Sequence, residues 1–217
     1  MKIINLGKKN TIFNHFISEI RDVNIQKDSM RFRRNIERIG EVFAYEISQE
    51  IAYEKKEIAT PLGISNEFLM IEKPILATIL RAGLPLHQGL LNYFDDSDSA
   101  FISAYRDHKE SDKFEIKVEY MSSPDLNDKT LILCDPMIAS GSSIVMATEA
   151  ILTKGKPRHI HIVGVIASTE GLQYLKNNIS GVDLTLWIGA EDAEMTLESY
   201  IVPGLGDAGD LAFGEKK

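Results

Sequence analysis

The sequence predicts an α/β fold: a mainly parallel, twisted sheet flanked by helices, with a small hood and a β-ribbon attached. Three observations lead there. Short, almost uninterrupted apolar runs recur along the chain, at Ile75–Leu80, Leu131–Cys134 and Ile160–Ala167, and strands read this way when both faces of a parallel sheet are covered. Segments with helical periodicity separate these runs. Two loops, at Arg81 and at Asp135, begin where such runs end, and open α/β sheets bind ligands just beyond the carboxyl ends of their strands.

Taken in order, residues 1–27 read as an amino-terminal arm. Asp28 or Ser29 caps a helix that runs to about Glu50, with Ile36, Ile39, Phe43 and Ile47 on one face. Glu57 to Thr60 reads as a short strand before the Pro61-Leu62-Gly63 turn. Pro74 precedes the strand Ile75–Leu80, which stops at Arg81-Ala82-Gly83. A helix from about Pro85 to Phe94 follows, its proline early, where a missing N–H costs nothing. Ala100 to Tyr105 is a strand ending at Arg106, and Glu115 to Tyr120 alternates polar and apolar as a half-exposed ribbon strand does. Leu131–Cys134 leads through the Asp135 loop into a helix that ends near Lys154-Gly155. Ile160–Ala167 is a strand, Glu170–Asn178 a helix and Val182–Ile188 a strand; the glycine-rich tail from Tyr200 is too irregular for either element. One domain over 1–217 is expected, with a ribbon at about 106–124 and a hood over 190–217.

Composition excludes several functions. The 217 residues carry a formal charge of −8, which disfavours nonspecific nucleic-acid binding because the phosphate backbone would be repelled. The basic cluster Lys27, Arg31, Arg33, Arg34 and Arg38 reads as a solvated helix face, partly neutralised at a subunit contact. Cys134 is the sole cysteine, which rules out an intrachain disulfide and suits a reducing compartment. Met1 to Asn10 carries lysines and no apolar core, and no run approaches a membrane span. A cytoplasmic protein is expected, so the sequon at Asn178-Ile179-Ser180 is read as coincidence.

The chemistry concentrates in three places. Asp135-Pro136-Met137-Ile138-Ala139-Ser140-Gly141-Ser142-Ser143 joins a strand to a helix N-terminus, where exposed N–H groups and the helix dipole favour an anion. This loop carries neither Gly-Lys-Ser/Thr nor Gly-x-Gly-x-x-Gly, so a sugar monophosphate fits it better than a triphosphate or dinucleotide. Asp135, at the mouth of that loop, is placed for ribose hydroxyls or a metal-bridged sugar phosphate. Arg81 beside Gly83, and Arg106 at another strand end, offer guanidinium forks for a diphosphate. In the tail, glycines from Gly204 to Gly214 surround Asp207 and Asp210 among apolar residues, and backbone this accessible can read a flat base. His159 and His161 share a strand face without a third metal ligand at site spacing. Cys134 reads as an inert small hydrophobe, and Asp95-Asp96-Ser97-Asp98 as a polar loop.

Together these residues resemble the uracil phosphoribosyltransferases of the type I phosphoribosyltransferase class, over almost the whole chain. Arg31-Phe32-Arg33 opens a helix reaching Tyr45-Glu46 like the family's amino-terminal helix. Ile79-Leu80-Arg81-Ala82-Gly83-Leu84 is similar to its diphosphate loop, Tyr105-Arg106 to its second arginine site, and Asp135–Ser143 to its Asp-Pro-Met-Leu-Ala-Thr-Gly-Gly-Ser/Thr loop. Tyr200-Ile-Val-Pro-Gly-Leu-Gly-Asp-Ala-Gly-Asp210 resembles the uracil-reading segment.

The resemblance implies transfer of a phosphoribosyl group from 5-phosphoribosyl-1-diphosphate (PRPP) to uracil. Ala139 to Ser143 would hold the 5-phosphate, with Pro136, Met137 and Ile138 completing the PRPP loop. Asp135 would contact the ribose hydroxyls, and Arg81 and Arg106 the diphosphate. Ile201, Gly206 and Ala208 would bind uracil by main-chain atoms, with Asp207 between base and PRPP. It further implies magnesium carried mainly by PRPP rather than on a protein metal site, a homodimer or larger homo-oligomer, and GTP as a candidate effector. The chain departs from the family pattern at Ser142, where a glycine is usual and a positive φ would strain a serine. It also departs at Asp107-His108-Lys109-Glu110, Thr196-Leu197-Glu198-Ser199 and Leu211. Two other readings remain open at this point: a regulator of this fold that binds nucleotides or RNA, and a phosphoribosyltransferase for another base.

Overall fold

The structure, a computed structural model, describes residues 1–108 and 114–215, and side chains outside 104–118. The amino-terminal residues, expected only as an arm, form strand β1 (Lys2–Asn5) and helix α1 (Ile12–Arg21). Thr11 and Asn14 cap α1 reciprocally, and Phe13, Ile17 and Ile20 give it a buried face. Helix α2 (Ser29–Ser48) starts where expected, with Asp28 accepting a hydrogen bond from the Arg31 N–H. Strands β2 (Tyr53–Thr60) and β3 (Gly63–Met70) pair antiparallel across the Pro61-Leu62 turn. Only the end of β2 was legible, because lysine and glutamate fill half of that strand, in one run from Glu54 to Glu57.

Strand β4 (Ile75–Leu80), helix α3 (Leu84–Leu91), strands β5 (Ser99–His108) and β6 (Phe114–Ser122), and strand β7 (Thr130–Cys134) follow. The two-residue strand β8 (Met137–Ile138) lies inside the Asp135 loop, ahead of α4 (Ser142–Ile151). Then come β9 (His159–Ser168), α5 (Thr169–Asn178) and β10 (Leu184–Asp192). The tail is more regular than its composition suggests. Strand β11 (Glu194–Met195) pairs with β12 (Ile201–Val202), and Ala208–Phe213 forms helix α6.

The main sheet has the order β1-β10-β9-β7-β4-β5-β6, with β8 added onto β9. Every pairing in it is parallel except β5 with β6. Strand β7 shows why its sequence is a continuous apolar run. Leu131 and Leu133 face the core under α4 and α5, while Ile132 and Cys134 face the core under α1, α2 and α3. From β4 the chain crosses by α3 to β5 on one side; from β7 it crosses by α4 to β9 on the other. The neighbouring carboxyl ends of β4 and β7 are therefore the point where the winding reverses, and the loops leaving them diverge to open a crevice.

Candidate active site

Asp135 leaves β7 into this crevice. It is 8% exposed, and its Oδ1 lies 3.5 Å from the Met137 N–H. Burial, with a further push from the charge of Asp207, raises its carboxyl to about 7. The loop beyond it is pinned to β9: Pro136 O accepts from the Val165 and Ile166 N–H groups, at 3.0 Å each, and β8 continues that pairing. Ala139 O accepts from Ser168 Oγ at 2.6 Å, which ties the loop to the start of α5.

Gly141 then turns the chain with φ +79°. The left-handed residue is thus Gly141 and not Ser142, which opens α4 in ordinary helical conformation, so the missing family glycine causes no backbone strain. Gly141 also lacks room for a side chain, since a Cβ would lie 2.9 Å from Gly171 O. Gly141 has no side chain to cap α4, and apart from a long bond of 3.5 Å from the Ser142 N–H to Ser140 Oγ the first turn is open to an anion. Ser140 Oγ and Ser142 Oγ sit 2.7 Å apart beside them.

Arg81 leaves β4 next to this loop, after a cis peptide with Leu80. Its Nη2 donates to Asp210 Oδ1 at 3.0 Å and its Nη1 to Gly214 O at 3.3 Å. Its Nε is buried and has no partner among the described residues. Gly83 is required by close approach, because a Cβ there would overlap Thr78 Oγ1 and stand 2.7 Å from Ile79 O. The backbone of Arg106 lies in β5 opposite Ile116; its side chain, like Lys109 and Glu110 of the altered stretch, lies outside the described residues.

The tail is folded onto the same place. Arg21 donates to both oxygens of Asp192, at 2.8 and 2.9 Å, and to Gly204 O at 2.9 Å, while the Gly204 N–H donates to Asp192 Oδ2 at 2.9 Å. That lock sets the turn through Gly204 (φ +53°) and Gly206 (φ +93°). Asp207 follows and caps α6 by accepting from the Asp210 N–H at 2.9 Å. Ile201 and Ala208 turn their side chains into the core. Arg33 Nη1 donates to Ala212 O at 2.6 Å and the guanidinium lies 6.0 Å from the Phe213 ring centre, holding the far end of α6. Sequence reasoning assigned no role to Arg21 or Asp192, read Arg33 only as part of a basic helix face, and named Asp210 only as part of the base-reading tail. The Arg21–Asp192 and Arg33–Ala212 contacts join residues too distant in the chain to leave a local pattern.

Of the basic cluster, Lys27, Arg31 and Arg34 are exposed as expected, while Arg33 and Arg38 are half-buried, and the arginines are engaged within the chain. Arg31 pairs with the buried Glu19, whose carboxyl is held down to about 2 by hydrogen bonds from Arg31 and Asn35. Arg34 pairs with Glu37 at 2.6 Å, and Arg38 donates to Asn35 and lies over Phe16. The two histidines are structural. His159 bonds Asp183 and Thr185, and His161 Nδ1 accepts from Trp187 Nε1 at 3.1 Å, its burial lowering it to about 4. Among the described residues no cluster of three His, Cys, Asp or Glu could hold a metal, and no helix is long and apolar enough to cross a membrane.

Comparison with known proteins decides the family. The family model described as uracil phosphoribosyltransferase matches residues 8–215. The chain belongs to the uracil phosphoribosyltransferase family. A member from Porphyromonas gingivalis is 52% identical over 216 residues, covering 100% of both chains. A uracil phosphoribosyltransferase from Methanococcus vannielii is 36% identical, covering 88% of this chain and 82% of its own. A solved protein from Aquifex aeolicus superposes with a TM-score of 0.85 at 27% identity, covering 98% of each chain.

Proposed function

We propose that this chain transfers the phosphoribosyl group of PRPP to uracil, releasing UMP and diphosphate. The observation that carries the reading is the convergence of three loops on one crevice: the uncapped start of α4, the Arg81 loop, and the tail that Asp210 joins to Arg81. The open N–H groups from Ala139 to Ser143 bind the 5-phosphate and Asp135 takes the ribose hydroxyls. Arg81, with Arg106, faces the diphosphate, and the backbone of Ile201, Gly206 and Ala208 reads the base. The bond from the anomeric carbon to diphosphate breaks as the bond to uracil N1 forms. The N1 proton leaves to Asp207, which orients the ring. Holding both reactants in line supplies much of the acceleration.

Magnesium fits this donor set. The carboxylates of Asp207 and Asp210, with the buried Asp135 close enough to feel the charge of Asp207, are oxygen donors of the kind a divalent ion takes. Asp135 and Asp207 would face the ion that accompanies PRPP, which would supply positive charge to the leaving group. The deciding experiment is magnesium-dependent UMP formation from PRPP, with cytosine, hypoxanthine and orotate as competing bases. No UMP, or preference for another base, overturns the reading. Adding GTP to the same assay tests it as an effector.

The β2–β3 hairpin supports a homo-oligomer. Leu62 is 101% exposed, Ile64 69% and Phe68 68%, with Tyr53, Leu69 and Ile71 also open. A lone two-stranded ribbon is marginal in water, and a second copy covering this one would relieve that. Phe68→Asp should shift the assembly toward monomer in analytical ultracentrifugation. The buried sole thiol, Cys134, suits the proposed cytoplasmic location.

A further inference from the structure

Arg81 belongs to the β4 loop by its backbone and to the tail by its side chain. Its carbonyl accepts from the Leu84 N–H at 3.2 Å, which builds it into the turn that opens α3. Its guanidinium is shared with residues far along the chain, through Nη2 to Asp210 and Nη1 to Gly214 O. A guanidinium has five N–H donors in a rigid fork. Two of the five are engaged by these bonds, so the fork keeps donors for an arriving oxygen while one edge stays on α6. The helix it holds is the one Asp207 caps, by a bond to the N–H of Asp210 itself. Even a Cβ on the intervening Gly209 would lie 3.7 Å from Arg81 Nη2 and 3.1 Å from Asp207 Oδ1. Diphosphate loop, Arg81, Asp210 and Asp207 thus form one contiguous chain of contacts.

We infer that Asp210 is a positioning residue that couples the two substrate subsites through Arg81. This rests on the functional reading above. Diphosphate bound at Arg81 immobilises the fork, the fork immobilises α6 through Asp210, and uracil then meets a tail whose ordering has already been met. A ligand that orders a segment in advance tightens the next ligand to use it, and the effect is reciprocal. The alternative is that Asp210 merely fastens the tail, which predicts a loss of stability and no change in coupling.

The test is calorimetric titration of the full chain with uracil, with and without magnesium diphosphate, a pair that cannot react because no ribose is present. For the wild type, diphosphate should tighten uracil binding at least about fivefold, the lower end of common coupling. Asp210→Asn should reduce that ratio below twofold while leaving the melting temperature within about 3 °C, and Asp210→Glu should restore part of the ratio. Because turnover is measured alongside, the two claims separate. A wild type that makes UMP but shows no coupling, or an Asp210→Asn protein that keeps the wild-type ratio, overturns the inference alone. A wild type that makes no UMP overturns the functional reading and this inference with it.

Discussion

Asp192→Asn is the most direct probe of how the tail is held. The substitution keeps the shape of the side chain and removes the charge that receives two hydrogen bonds from Arg21 and one from the Gly204 N–H. The side chains are 22% and 8% exposed, so the guanidinium left behind is only partly solvated. Losing one partner of a buried pair costs about 3–5 kcal/mol; with one bond retained by the amide and some water at Arg21, about 2–3 kcal/mol is expected. At this chain length that lowers the melting temperature by roughly 5–10 °C. The damage should be directional. Gly204 begins the turn that leads to Gly206 and Asp207, so KM for uracil should rise roughly tenfold, as small displacements at a binding site do, while KM for PRPP stays within about twofold. Calorimetry and steady-state kinetics on the same preparation read both effects. The double variant Arg21→Gln/Asp192→Asn should recover part of the stability, because no lone charge remains buried. An Asp192→Asn protein with wild-type melting and an unchanged uracil KM would refute the lock.

Asp135 should make stability depend on pH. Its folded carboxyl titrates at about 7 against 3.8 as the reference, so its stabilising contribution is full below pH 4 and is lost as pH rises through 7. Relative to Asp135→Asn, the wild type should lose on the order of 3 kcal/mol over that window, read from urea unfolding at a series of pH values; parallel curves would contradict the burial argument. Gly141→Ala should cost about 2–3 kcal/mol, combining the left-handed backbone with a Cβ 2.9 Å from Gly171 O. It should raise KM for PRPP more than KM for uracil, and a neutral effect on urea unfolding would exclude the geometry. Cys134, with its thiol pushed up to about 12 by burial, should resist a disulfide reagent at pH 8 in the native protein and react once unfolded; rapid native labelling would show that β7 is open.

Much of the fold was legible because burial on two faces writes itself into sequence. Strands β4, β7 and β9 are near-continuous apolar runs, and α2 carries Ile36, Ile39, Phe43 and Ile47 at helical spacing. Helix α1 was legible in principle, since Thr11 and Asn14 form a capping box ahead of Phe13, Ile17 and Ile20. Strand β1 was not: four residues at a sheet edge, beginning with lysine, hold no period. Helix α6 was hidden for a different reason. Its six residues are too few to be stable alone, and the bonds from Arg33 and Arg81 that hold it come from remote parts of the chain.

By itself, then, the sequence determined the inventory: a strand ending in Asp135, small residues leading into a helix, an arginine beside Gly83, and a glycine-rich tail. These are properties of neighbouring residues, and side-chain size, charge and backbone freedom act locally. Only the tertiary structure decided that β4 and β7 are neighbours, that Gly141 rather than Ser142 takes the left-handed turn, and that Arg81 grips Asp210 across the crevice. It also decided that Asp135 is buried enough to hold its proton near neutrality. Contacts between distant segments depend on sheet order, and desolvation exists only once those segments have closed around a side chain.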